Sequence, residues 1–275
     1  MLKKATILFV LTAFLICKSA FGQITIAPIM LFMDDQNRFG TLLILNGSDQ
    51  AQEISIDFPF GYPTTDAEGG IKMVYDDGAS ADKFGISNDI RGFPRSFVLQ
   101  PGQRQVVRLT VRPEKTEAGM YWTRARITSI PQAPPIGEVS EESITAQITY
   151  KFEQVTTIFY KHGAVTTGLN MINLSVEQPG DAIKLISDVQ RTGNAPFLGS
   201  IILTISNSTG DILVQKKSST SVYFDFRQVF SIDKNELSEG NYTAQIKYIS
   251  ERPDIPGPDL VQTEPLTQSV NFTVK

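Results

Sequence analysis

Cysteine is nearly missing from this chain of 275 residues, and the single one, Cys17, lies within the first two dozen. Beyond that point no disulfide or thiolate metal site can form, so the fold must rest on burial alone. Histidine occurs once, as His162. That excludes a two-histidine H-E-x-x-H metal frame, and no G-x-S-x-G nucleophile frame or glycine-rich phosphate cradle is present either. No catalytic constellation, metal site or cofactor is therefore expected. Helical periodicity is nearly absent. After the amino terminus there is no apolar run of membrane length, and so no membrane span is expected in the mature chain.

The amino terminus reads as an address. Lys3 and Lys4 precede an apolar run from Ala5 to Ile16, shorter than the ~20 residues a span needs. Ala20-Phe21-Gly22 puts small residues at the −3 and −1 positions of a cleavage site. Residues 1–22 are read as a signal peptide, with the mature chain beginning near Gln23. The bulky Ile16 before Cys17 speaks against lipid attachment. Without Lys3, Lys4 and Lys18, 22 basic residues face 29 acidic ones, a net of −7. A basic face for nucleic acid is not expected from that balance.

What is present is short alternating segments bounded by turn residues. Candidate strands in the first half are Ile24–Phe32, Gly40–Leu45, Gln52–Phe58, Arg95–Leu99, Gln105–Val111, Tyr121–Ile127 and Ile144–Tyr160. In the second half they are Met171–Val176, Ala182–Gln190, Ser200–Ser206, Ile212–Lys217, Ser221–Phe230, Tyr242–Ser250 and Thr267–Val274. Turns are expected at Pro101-Gly102, Gln178–Asp181, Thr192–Asn194 and Ser208–Asp211. In Val107, Leu109 and Val111, separated by Arg108 and Thr110, one face is apolar and the other wet, as in an antiparallel sandwich. About seven strands per half is the count of an immunoglobulin-like sandwich. The chain is read as all-β, two immunoglobulin-like β-sandwich domains: 23–162 with a long last strand, and 163–275.

A second signal agrees. Gly119-Met120-Tyr121 opens a late strand in the first half and Gly240-Asn241-Tyr242 the equivalent strand in the second. Gly-x-Tyr at that place resembles the tyrosine corner, in which the phenol hydroxyl bonds back to upstream backbone. Asp34-Asp35 and Asp76-Asp77-Gly78 lack the spaced oxygens of a calcium loop and read as turn residues.

One stretch is more specific. Arg95-Ser96-Phe97-Val98-Leu99-Gln100-Pro101-Gly102-Gln103 leads into Gln105-Val106-Val107-Arg108-Leu109. Then come Tyr121-Trp122-Thr123-Arg124-Ala125-Arg126-Ile127, Ile130-Pro131, and a strand ending Ile158-Phe159-Tyr160-Lys161. The order and spacing resemble the periplasmic pilus chaperones of the PapD-like family over roughly Ile24 to His162. The resemblance implies a periplasmic chaperone that donates its last strand to complete pilus, fimbrial or other surface subunits, in some cases handing them to an outer-membrane usher. The alternative is a structural immunoglobulin-like component of a surface or secretion apparatus.

The last strand has a matching pattern. Ile144, Ala146, Ile148, Tyr150 and Phe152 occupy every second position, an apolar stripe about 27–28 Å long at ~3.4 Å per residue. Alternation by itself also fits a strand facing its own core. The resemblance makes these five residues the subunit-binding strand. It further implies two basic residues holding a subunit's terminal carboxylate, one in the first strand and one at the position of Thr157. Here Ile26 to Met33 contains no arginine and the second position is threonine. Thr157, Arg191 and His162 remain as possible substitutes, and Lys161 matches a family residue that pairs the two domains.

Overall fold

The computed structural model describes residues 24–132 and 150–275. In the first half the chain forms β1 (Ile24–Ala27), β2 (Met30–Asp34), β3 (Phe39–Asn46), β4 (Gln52–Asp57), β5 (Tyr62–Thr65) and β6 (Ile71–Val74). After a short helix α1 (Gly78–Phe84) come β7 (Ile90–Phe93), β8 (Ser96–Leu99), β9 (Arg104–Val111), β10 (Gly119–Pro131) and β11 (Phe152–His162). The second half holds β12 (Thr167–Glu177), β13 (Ala182–Gly193), β14 (Phe197–Asn207), β15 (Ile212–Val222), β16 (Asp225–Asp233), β17 (Gly240–Ile249) and β18 (Leu266–Val274).

Alternation dictates the layers. A sheet β1-β3-β9-β7 faces a sheet β2-β11-β10-β4-β8. Between them Leu42, Ile44, Ile54, Val107, Leu109, Ala125, Ile127, Ile158 and Tyr160 form one core. In the second half β12-β13-β16 faces β15-β14-β17-β18 around Leu185, Val189, Ile201, Leu203, Ile246 and Tyr248. The fold is thus two immunoglobulin-like sandwiches, as expected. Both tyrosine corners are present: Tyr121 donates its hydroxyl to the Glu117 carbonyl at 2.7 Å, and Tyr242 does the same to the Ser238 carbonyl at 2.7 Å.

Five expectations need correction. The segment Ile24–Phe32 is two strands in different sheets, parted at Pro28, which has no N–H to give a ladder. Residues Ser221–Phe230 likewise divide, β15 ending at Val222 and β16 starting at Asp225, because Tyr223 and Phe224 turn into the seam between the halves. Thr192-Gly193 stays within β13, where Gly193 pairs with Thr167 at a φ of 78°. The stretch 62–93, left without elements, carries the β5–β6 hairpin, α1 and β7. The last strand of the first half begins at Phe152 among the described residues, and Tyr150 and Lys151 stand outside it.

The halves share a third apolar cluster. Phe60, Met120, Trp122 and Phe159 from the first meet Ala195, Leu198, Tyr223, Ile255 and Leu260 from the second. Trp122 stacks on Phe84 at 5.1 Å between centroids and meets Tyr223 edge-on at 4.9 Å. Both faces of β10 are therefore buried, one by its own sandwich and one by the neighbour. The hairpin adds a strap: Thr65 Oγ1 accepts from the Arg227 backbone N–H at 2.7 Å, and Arg227 Nη1 donates to the Ala67 carbonyl at 3.1 Å.

Candidate functional site: an open strand margin beside a sealed seam

The site is built on β11, whose two sides differ along its length. One side pairs with β10 throughout, from Phe152 opposite Ser129 to His162 opposite Gly119. The other side pairs in parallel with β2, but only over Thr157 to Lys161. The Thr157 N–H donates to the Ile29 carbonyl at 3.2 Å, so it points away from β10. Backbone groups alternate sides along a strand, so those of Glu153 and Val155 point the same way. Among the described residues these meet no strand. Only side chains tie that stretch to β1 and its exit: Gln154 Nε2 donates to the Ile24 carbonyl at 3.0 Å and Thr156 Oγ1 to the Pro28 carbonyl at 3.0 Å.

The side chains there match an open margin. Phe152 lies on the same face as Ile158 and Tyr160, but where those two fill the core, Phe152 stands exposed beyond it. Tyr150 is 60% exposed, with its ring 6.3 Å from that of Phe152, and Val155 is exposed on the opposite face. Ile144, Ala146 and Ile148, the rest of the expected stripe, lie outside the described residues.

Thr157 marks the change from open margin to sealed seam. It is 3% exposed, and its hydroxyl accepts a hydrogen bond from Arg124 Nη1, the residue directly opposite on β10. Arg124 is the residue that the sequence reading missed. It is 6% exposed; Nε donates to the Gly61 carbonyl at 2.9 Å, the guanidinium lies 5.2 Å from the Tyr223 ring centroid, and Nη2 has no partner among the described residues. A buried cation held by neutral acceptors and a π face carries unused capacity for an anion. Arg191 lies elsewhere: its guanidinium sits 5.3 Å from both the Phe84 and Phe224 rings, and burial lowers its pKa.

Lys161 and His162 stand at the far end of β11. Lys161 lines a surface hollow with Asp34, Asp35, Val165 and Leu260, and so with both halves, and burial lowers its pKa against the pull of Asp259 and Asp34. His162 Nδ1 lies 2.9 Å from Asp35, which also accepts from the Gly163 N–H at 2.9 Å and the Tyr160 hydroxyl at 2.8 Å. Those bonds, that of His162 foremost, hold the Asp35 carboxyl down at about 2. Asp34 is a turn residue, as read, accepting from the Gln36 and Asn37 N–H groups, whereas Asp77, read as a turn residue, caps α1 by accepting from the Ser80 N–H. No helix among the described residues is long and apolar enough to cross a membrane.

Fold and site together define a pair of immunoglobulin-like sandwiches joined by an aromatic seam, with one strand open along part of its margin among the described residues. No family model and no curated protein matches the chain. Among solved structures it is similar to the YadV chaperone, at 8% identity, covering 90% of this chain and 100% of that one with a TM-score of 0.48. It is also similar to the Salmonella enterica SafB chaperone in complex with SafA pilin, at 10% identity, 92% and 98% coverage and a TM-score of 0.44. A third is the CsuC–CsuE chaperone–tip adhesion subunit complex of Acinetobacter baumannii, at 11% identity, 90% and 98% coverage and a TM-score of 0.46.

Proposed function

We propose that this chain is a periplasmic assembly chaperone that holds pilus, fimbrial or other surface-protein subunits by lending them its last first-half strand. Residues 23–162 form the strand-lending domain and 163–275 the supporting sandwich; an outer-membrane usher is a further partner. The observation that carries this reading is the margin of β11 at Glu153 and Val155, which no described strand covers and which exposed Tyr150 and Phe152 border. Unpaired backbone with apolar side chains at alternate positions is what strand addition uses. Ile144, Ala146, Ile148, Tyr150 and Phe152 fill the subunit's groove. Burying three large side chains gives on the order of 5–9 kcal/mol gross at ~1.5–3 each, part of it offset by ordering the guest. The reaction is binding, with no catalytic step.

A subunit carboxylate is held at Thr157 by Arg124, whose unpartnered Nη2 supports this, and is admitted when Tyr223 moves off. Arg191 is the second candidate, and Lys161 keeps the halves paired. The test is co-purification with a candidate subunit encoded beside this chain, comparing wild type with Ile148→Ser plus Phe152→Ser. Undiminished capture by the double variant overturns the reading. A permanently assembled structural component is the second reading, favoured by the burial of Arg124 and Thr157. It predicts that the purified chain stays in one stable assembly instead of exchanging guests.

A further inference from the structure

The β5–β6 hairpin has one covered strand and one free strand. β5 lies against β15 and β16 of the second sandwich, where Thr65 accepts from Arg227. β6 pairs only with β5 among the described residues. On that free strand Ile71 and Met73 share a face, and Tyr75 follows two positions on. The three are 72%, 39% and 42% exposed, and none belongs to an apolar cluster of the described core. Large apolar side chains exposed in a row, unlike scattered single ones, mark a contact surface.

Both ends of the row touch the site on β11. The Tyr75 ring lies on Gly61, where an added Cβ would come within 2.6 Å of it. The Gly61 carbonyl accepts from Arg124 Nε at 2.9 Å and from Trp122 Nε1 at 3.2 Å. At the other end Ile71 shares a hollow with Met30, the ladder partner of Thr157, where the open margin of β11 ends. Arg124 and Thr157 bond to each other on one face of the sheet, and Val155, two residues before Thr157, points to that same face. The row therefore stands on the Val155 side of the margin, opposite the Phe152 side.

Size and charge define what covers it. Three side chains fall far short of the ~800 Å² per partner of a stable interface, so the row extends a contact made elsewhere, and the β11 margin is the one beside it. Exposed Lys72 within β6 works against strand-to-strand pairing with a second copy. Arg126, opposite Val155, is matched by Asp57, with Nε to Oδ1 at 3.0 Å, so it does not call for an acidic guest surface.

We propose that Ile71, Met73 and Tyr75 brace the captured subunit from behind, packing on apolar side chains on the outer face of the guest strand that pairs with β11. Tyr150 and Phe152 fill the guest's groove from one side of that strand, and the hairpin holds its back from the other. The inference rests on the strand-lending reading and adds a second criterion for a guest: uncharged, apolar side chains on the back of the paired strand.

The test takes the purified complex of the mature chain with the candidate subunit, mixes it with an excess of tagged wild-type chain and follows exchange of the subunit. Ile71→Ser plus Met73→Ser is expected to speed exchange about tenfold, the share of two partly exposed apolar side chains. Its melt should stay within about 2 °C of wild type, because neither residue is in a core. p-Benzoyl-L-phenylalanine in place of Met73 is expected to photo-crosslink to the subunit. The same group in place of Ile212, exposed at the far end of β15, is expected not to. Exchange at the wild-type rate overturns the proposal, as does a crosslink from position 73 that reaches only a second copy or nothing. If the double variant melts low, the crosslink decides. Undiminished capture by Ile148→Ser plus Phe152→Ser sinks the strand-lending reading, whereas lost capture there with wild-type exchange in the hairpin variant sinks the brace alone.

Discussion

Proline scanning of β11 separates a free N–H from a paired one at neighbouring positions. The Val155 N–H points to the open margin, away from β10, as the Thr157 N–H does. Arg124, opposite Thr157, sends its own N–H to the Pro59 carbonyl at 2.9 Å, away from β11, which fixes the same alternation from the β10 side. The N–H of Gln154, opposite Ile127, therefore belongs to the β10–β11 ladder. Val155→Pro removes a donor that no described residue accepts, at a place where margins tolerate proline, and should cost under ~1 kcal/mol. Gln154→Pro breaks a ladder bond and leaves buried Ile127 opposite without its backbone partner, up to ~3 kcal/mol. At roughly 2–4 °C per kcal/mol for this size of protein, circular dichroism melts should fall by less than about 4 °C for Val155→Pro and by up to about 6–12 °C for Gln154→Pro. Capture of a subunit should nevertheless drop at least tenfold for Val155→Pro, because the guest loses a ladder bond and proline bars its approach. If Val155→Pro melts as low as Gln154→Pro, the margin is paired and the argument fails. If it melts like wild type and captures like wild type, the margin is open but is not the working surface.

Two further outcomes follow from the geometry. Tyr121→Phe and Tyr242→Phe each remove a 2.7 Å bond to a backbone carbonyl, and each should cost about 1 kcal/mol in urea unfolding; an effect near zero for both would mean that the corners are ornamental. The Asp35 carboxyl is held at about 2, below its usual 3.8. Its contribution is complete above pH ~4 and is lost as pH falls toward ~2. Asp35→Asn should therefore lower the urea midpoint at pH 5 and flatten its fall between pH 4 and 2, and an unchanged slope would count against the Asp35–His162–Tyr160 cluster.

The layers were readable wherever one face is wet. Val107, Leu109 and Val111 alternate with exposed or half-buried Arg108 and Thr110, and the Pro101-Gly102 turn, with Gly102 at a φ of 70°, carries the chain from β8 in one sheet to β9 in the other. Both Gly-x-Tyr corners were readable because the motif is local. The pattern failed where tertiary contacts cover the second face. Trp122, Arg124 and Arg126 occupy what alternation marks as the wet side of β10, so the pattern assigns Arg124 no role, and only the second sandwich closing over it makes it part of the site. Tyr223 and Phe224 read as strand because aromatic residues favour sheets, but the seam draws them out of the ladder. The hairpin at 62–74 was illegible because its two four-residue strands, Tyr62–Thr65 and Ile71–Val74, bury no residue and so show no alternation of buried and exposed positions. Its strands are anchored by Arg227, 160 residues away from Ala67 in the chain.

The parallel placement of β2 has one more consequence. Met30 to Asp34 already fill the lane beside Thr157 to Lys161, so a foreign strand advancing down that lane meets Ile29 head-on and halts. The host would thereby act as a ruler: where a guest stops, and which of its residues face inward, is decided by where β2 begins and not by the guest's own length.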